Sequence, residues 1–273
     1  MLDHFSISNN NFSGPVLITG AGGCIGAWTM AMLLKANVDV IAFDLTSNKR
    51  RPELLIEDEK LKKVPWIEGD ISDTETVLSS IKKYSPESII HLAALQVPFG
   101  AADPTAGAKV NVVGTVNILE AAKQNSIKRI AHASSMAAHS FLPGSDSLKT
   151  LYGAYKMCDE QISEVYWQDH KVPSMCLRPA IVNGVGRDQG MTSKQTVAML
   201  AAALGEPYDI PYTGYVSHLS AAEVASAFIH SVSYEGDGSF VFDIFGESVN
   251  INETIKMINE IKPNANITSS GSE

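Results

Sequence analysis

The segment that most restricts the fold is TGAGGCIG at 19–26, set between an apolar run at 16–19 and a helix-forming stretch at 25–35. Gly20, Gly23 and Gly26 recur every third residue. The first glycine of such a loop permits a tight turn. The second lets the backbone approach a pyrophosphate, and the third lets the helix pack close to its strand. The N–H groups opening the helix then face an anion that the helix dipole also favours. Glycines alone mark ordinary turns; the strand–loop–helix context is what makes this a dinucleotide cradle. The expected cofactor contacts here are Gly20, Gly23, Cys24, Ile25 and Gly26.

Short β-rich runs alternate with helical stretches along the next 150 or so residues, about one domain's length. Strands are expected at 16–19, 38–43, 66–68, 88–92, 129–133 and 174–178. Helices are expected at 25–35, at 74–83 capped by Ser72 or Asp73, from Asp103-Pro104 to about 125, and at 151–170. This rhythm predicts an α/β chain with a doubly wound parallel sheet of the Rossmann type. Beyond residue 178 the pattern loosens. Residues 183–190 are glycine-rich, 196–204 and 252–261 read as helices, and 241–244 as a strand. Ser220 and Glu223 form a capping box opening another helix. The expected division is a dinucleotide-binding domain over 1–182, with 1–13 flexible, and a smaller substrate-binding lobe over 183–273 that partly contributes to the sheet.

The 273 residues carry a formal charge of −9. An acidic surface argues against nucleic acid or anionic membrane as partner. The three cysteines, Cys24, Cys158 and Cys176, fit neither a zinc motif nor a disulfide framework, and read as buried free thiols in a reducing compartment. No signal peptide or spanning segment is visible, so a cytoplasmic location is expected. His132, His139 and His218 have no metal-ligand spacing, and no metal is expected.

Asp44 ends the second expected strand. A carboxylate there accepts hydrogen bonds from adenosine ribose hydroxyls and repels a 2′-phosphate, which favours NAD; it also reads as a plain strand-end acid. Lys49-Arg50-Arg51 complicates this, being either a phosphate contact or a solvated loop. Asp70 is placed to meet the adenine amino group with Ile71 against the ring, or simply to cap a turn. On the long helix Tyr152 and Lys156 lie four residues apart, on one face. A phenol ordinarily ionises near pH ~10. A neighbouring ammonium and the nicotinamide cation both favour the phenolate, so Tyr152 could exchange a proton while hydride moves. Tyr155 points elsewhere and reads as packing.

With TGAGGCIG, Asp44, GDISD at 69–73, HLAA at 91–94, NVVGTVN at 111–117, ASS at 133–135, YGAYK at 152–156 and LRPAIVNGVGRDQG at 177–190, the chain resembles the extended short-chain dehydrogenase/reductase family, which includes nucleotide-sugar epimerases and dehydratases. The resemblance implies Ser135 as the hydroxyl on the reacting oxygen, Tyr152 as acid/base, and Lys156 on the nicotinamide ribose. It implies Leu92, Ala93, Ala94 and Pro179 along the cofactor, with Asn111 supporting the site from its helix. It also implies a homodimer through the helices near 104–125 and 152–169. His91 reads as a core residue.

Two departures bear on substrate. Met136-Ala137 stand where dehydratases carry an acidic pair, which argues against eliminating water. Pro179-Ala180-Ile181 replace the asparagine-bearing segment with which epimerases hold a diphosphate sugar. That replacement, with a C-terminal lobe short for a whole nucleotide diphosphate, weighs against a nucleotide-sugar substrate. Arg187 could clamp a carboxylate or phosphate, or sit in a surface loop capped by Thr192 or Ser193. Gln96, Met136 and Gln189 are further substrate candidates beside Ser135. The expectation is an NAD-dependent oxidoreductase acting on a secondary alcohol or ketone of a sugar-like small molecule. The alternatives are a sugar epimerase that retains NAD and a non-catalytic dinucleotide sensor.

Overall fold

The computed structural model of the protein describes residues 5–271. Its strands are β1 (Val16–Thr19), β2 (Val40–Asp44), β3 (Trp66–Glu68), β4 (Ser88–His91), β5 (Arg129–Ala133), β6 (Ser174–Pro179), β7 (Val182–Asn183), β8 (Tyr208–Ile210), β9 (Tyr215–Ser220), β10 (Ser239–Ile244), β11 (Glu247–Asn250) and β12 (Ile267–Ser269). Its helices are α1 (Cys24–Lys35), α2 (Asp58–Leu61), α3 (Thr74–Tyr84), α4 (Val97–Ala102), α5 (Pro104–Ala108), α6 (Gly114–Gln124), α7 (Leu151–His170), α8 (Lys194–Leu204), α9 (Ala221–Ser231) and α10 (Ile251–Ile261).

Seven strands form one parallel sheet in the order β10-β6-β5-β4-β1-β2-β3. The strand order reverses between β1 and β4, the crevice where such sheets bind ligands. β1 and β4 are buried along their whole length, as strands covered on both faces must be. One face is filled by Trp28, Met30 and Leu33 of α1 against Phe228 and Ile229 of α9. The other is filled by Val77 and Ile81 of α3 with Ile118 and Leu119 of α6. A separate small cluster joins Ala198, Ile210, Ile251, Ile258 and Ile267.

Several expectations shift in detail. Asp73, not Ser72, caps α3, its carboxylate accepting from the Glu75 and Thr76 N–H groups. The helix opened by Asp103 is not uniform: the five residues of Lys109–Val113 form a π turn between α5 and α6. Neither Thr192 nor Ser193 caps α8 through its side chain: Ser193 Oγ donates to the Gly190 carbonyl, and Thr192 Oγ1 accepts from Arg187. Of the three free thiols only Cys176, in the interior strand β6, is buried; Cys24 and Cys158, on helices α1 and α7 that cover the sheet, are partly exposed. Within the lead-in expected to be flexible, 1–4 lie outside the described residues. Phe5, Ile7 and Phe12 pack on the α1 side of the core, and Arg129 Nη1 donates to the Asn11 carbonyl at 2.7 Å. Among the described residues no helix is long and apolar enough to cross a membrane.

Candidate active site

The glycine loop lies where β1 hands over to α1. Gly20 has φ +69°, and a Cβ there would come within 2.8 Å of the Ala93 nitrogen on the neighbouring chain after β4. A Cβ on Gly26 would overlap the Gly20 carbonyl oxygen. Gly23 stands at the N-cap of α1, whose first turn has no side-chain cap and no acid. The opening N–H groups of α1 are therefore left for an external anion. This cradle fits a dinucleotide pyrophosphate: the backbone is bare where the ligand must approach, and the dipole has the right sign. Cys24 lies in that first turn, where burial pushes its thiol up to about 11.

Asp44 Oδ2 accepts from Gly22 N at 2.8 Å, which ties the end of β2 to the loop. Asp70 Oδ1 accepts from both the nitrogen and the hydroxyl of Ser72, a turn contact. Ile71 is buried in the core on the α3–α6 face, and its carbonyl accepts from Asn117 Nδ2. Leu92, Ala93 and Ala94 follow β4 at its carboxyl end. Thr19 Oγ1 accepts from the Leu92 and Ala93 nitrogens and pairs with His91 Nδ1 at 2.6 Å. His91 is thus a buried strand residue, and desolvation holds its pKa well below the ordinary value. Asn111, wholly buried in the π turn, donates to the Leu95 and Gly107 carbonyls. It holds the chain that carries Gln96.

Ser135 precedes the short helical turn Met136–Phe141 and accepts from Ala137 N through Oγ. That turn packs on the start of α7 where Gly153 has no side chain: a Cβ there would lie 2.5 Å from the Ala137 oxygen. This contact joins the serine turn to the helix bearing Tyr152 and Lys156. Thr150 caps α7 by accepting from Gly153 N. Lys156 Nζ lies 5.8 Å from the Tyr152 ring centroid. Tyr155 turns away and donates to the Pro104 carbonyl at 2.9 Å. Pro179 is buried at the end of β6.

Lys156 has a partner that the sequence pattern did not single out. Asp159, one turn further along α7, receives Nζ at 3.2 Å, and the two side chains are 2 % and 0 % exposed. Burial works against the charge on Lys156, but Asp159 and Tyr152 more than offset it and leave its pKa raised. Burial in turn pushes the Asp159 carboxyl up to about 6. The i, i+3 spacing was the available signal.

The segment after β7 crosses the front of the cradle. Its Val185 carbonyl accepts from Trp28 Nε1 at 3.0 Å. Arg187 Nη2 bonds Thr192 Oγ1, its Nε is buried with no protein partner, and desolvation lowers its pKa. Arg187 lies close enough to Cys24, in the first turn of α1, for its charge to act on that thiol. Gln96 Oε1 and Arg187 Nη2 both lie against Gly190. The structure therefore brings Gln96 and Arg187 together; Gln189 is exposed. Asp188 bonds Arg50 and Arg51, a contact also missed in sequence. Among the described residues no His, Cys, Asp or Glu group could hold a metal ion.

Residues 16–239 match the family described as the NAD dependent epimerase/dehydratase family. The chain belongs to that family. NAD is the cofactor of this epimerase/dehydratase family, and the bare cradle before α1 suits it. The chain is 31% identical over 181 residues to a UDP-glucose 4-epimerase of Mycolicibacterium smegmatis, an alignment covering 63% of this chain and 57% of that protein. It is 31% identical over 172 residues to UDP-glucuronate 4-epimerase 4 of Arabidopsis thaliana, covering 58% and 39%. The chain thus spans about half the length of the curated relatives it matches. Among solved structures, a UDP-glucose 4-epimerase of Thermotoga maritima superposes with TM-score 0.79 at 22% identity, over 95% of this chain and 86% of that one. An L-threonine dehydrogenase of Clostridium difficile superposes with TM-score 0.81 at 21% identity, over 94% and 84%. These two likenesses bear on the fold alone.

Proposed function

We propose that this family member is an NAD-dependent oxidoreductase that moves hydride at a secondary alcohol or ketone of a sugar-like small molecule. The observation that carries the reading is the Lys156 ammonium, buried with its counter-ion and facing the Tyr152 ring one helical turn away. In this reading Tyr152 takes the proton from the substrate hydroxyl, or returns it, and Ser135 hydrogen-bonds the same oxygen. Lys156 supplies the positive charge that favours the phenolate and holds the nicotinamide ribose. NAD, when bound, accepts or donates the hydride. Gly20, Gly23 and Gly26 admit its pyrophosphate and Asp44 meets its adenosine ribose. Gln96 and Arg187, gathered at Gly190, take a polar or anionic part of the substrate. Replacing Tyr152 with Phe is expected to lower turnover by about 10²-fold or more, the range of a lost general acid/base, while NAD binding persists. Turnover within a few-fold of the parent would remove Tyr152 from the mechanism.

A second reading is epimerisation on NAD that never leaves, oxidising and re-reducing one carbon. The names of the relatives favour it, and every residue above serves it equally. The two readings part on absorbance: NADH that accumulates with substrate marks net oxidation, whereas stoichiometric NAD(H) carried by the isolated protein marks epimerisation. Pro179-Ala180-Ile181 and Met136-Ala137 favour a substrate other than a nucleotide sugar and a reaction other than dehydration. Val113, Leu151 and Val165 are exposed apolar residues along the long helices and support homodimerisation there. The lobe over 183–273 is the part we assign to substrate, and the cell interior is the compartment that suits three free thiols.

A further inference from the structure

The basic run Lys49-Arg50-Arg51 has no part in the chemistry above, yet it lies beside the adenosine end of the cradle. Gly22 shows how close. Its N–H donates to Asp44 Oδ2 at 2.8 Å, and its carbonyl accepts from Arg51 Nη1 at 3.1 Å. One residue thus separates the acid that meets the ribose from a guanidinium. A ribose bonded to Asp44 would lie near Arg51, which shares Asp188 with Arg50. Two arginines at that place form a forked anion site of the kind that binds phosphate bidentately.

Those forks are already engaged. Asp188, from the segment crossing the cradle, accepts Arg51 Nε at 3.0 Å and Arg51 Nη2 at 2.7 Å on Oδ1, and Arg50 Nη2 on Oδ2. Both carboxylate oxygens are used, and both arginines are held from the far side of the cleft. Arg51 and Asp188 are 19% and 28% exposed, so solvent screens this pair only partly. Burial works against the Asp188 charge, but the two arginines hold its carboxyl below the usual range.

We propose that Asp188 is a cofactor-specificity residue: by occupying Arg50 and Arg51 it withholds a 2′-phosphate site that the chain otherwise contains, and so sets it for NAD over NADP. Asp44 repels a 2′-phosphate directly. Asp188 removes the cations that would offset that repulsion. This rests on the cofactor placement proposed above, with the dinucleotide across the glycine loop and its ribose at Asp44, and on no assumption about substrate, so its failure is distinguishable from failure of the proposed reaction.

The test is equilibrium binding of NAD⁺ and NADP⁺ to the full chain, followed by calorimetry without substrate. Asp188→Asn is expected to raise the NADP⁺-to-NAD⁺ affinity ratio about tenfold or more, the scale of a regained charged hydrogen-bond pair. Asp188→Glu, which keeps the counter-charge, is expected to leave the ratio within about threefold of the parent. An unchanged ratio in Asp188→Asn overturns the proposal, including the case where both cofactors weaken together because the segment has merely come loose. A second variant keeps the question open to decision should that segment misfold on losing Asp188. Arg50→Gln combined with Arg51→Gln is expected to leave NADP⁺ affinity nearly unchanged relative to NAD⁺, since the guanidinium forks are already committed to Asp188. A tenfold or greater selective loss of NADP⁺ there would show them free, and would likewise overturn the proposal.

Discussion

An ammonium and a carboxylate enclosed together, as Lys156 and Asp159 are, stand or fall as a unit. Each has given up water, and each is tolerable because the other is 3.2 Å away. Removing one leaves a buried charge that must neutralise or draw in solvent, which costs about 3–5 kcal/mol. Lys156→Met and Asp159→Leu are each expected to lower unfolding stability by an amount of that order. The double variant is expected to lose much less than the two costs added together, because an apolar pair has no charge to strand. Chemical denaturation of the four proteins checks this; strict additivity would mean that the two groups do not sense each other. The pair also shows what the residues alone conveyed. Tyr152 and Lys156 were legible because their spacing has a chemical purpose. Asp159 was not, because an acid on a helix is ordinarily a surface residue and only the packing of α7 on the sheet encloses it.

Elements were legible where local chemistry dictates them. Ser220 and Glu223 form both halves of a capping box, Ser220 N donating to Glu223 Oε2 at 2.9 Å. Ser220→Ala is expected to cost about 1 kcal/mol, read as a fall in melting temperature. A change indistinguishable from zero would mean that packing of α9 on α1 alone holds the helix end. Asp103 announced its helix in the same way, its carboxylate accepting from Ala106 N. The strands β7, β9 and β11 were missed for a complementary reason. They are two to six residues long and carry no sustained alternation. They exist because Val182 meets Leu219 and Glu247 meets His218, pairings between distant segments that no local window contains. The π turn at Lys109–Val113 escaped as well. An extra residue in one turn leaves the apolar spacing nearly helical, and what the turn achieves, aiming Asn111 at the Leu95 carbonyl, lies outside the helix.

Across the whole molecule, buried imidazoles govern the response to acid. His91 and His132 are enclosed as neutral rings; burial lowers both, His132 to about 3 from an ordinary 6.5. Groups with depressed folded values stabilise above the unfolded value and lose that contribution as pH falls. Asp159 works the other way, its value being raised from 3.8 to about 6, so its contribution is lost as pH rises through that window. Two histidines outweigh one aspartate. Stability is therefore expected to drop from about pH 6.5 downward, with each histidine contributing at most ~1.4 kcal/mol per pH unit. Urea midpoints across that range check it, and His132→Gln is expected to flatten the slope whatever it does to the plateau. The overall architecture was readable because a parallel sheet repeats one unit, but the partner of α1 was not. Trp28, Met30 and Leu33 are covered by Phe228 and Ile229 of α9, which lies roughly 190 residues further along. A ribosome adding about 5–20 residues per second leaves that apolar flank bare for roughly ten to forty seconds. A newborn chain of this kind spends that interval dependent on whatever shields nascent hydrophobic helices, and arrest of translation before residue 221 would release a product prone to clump.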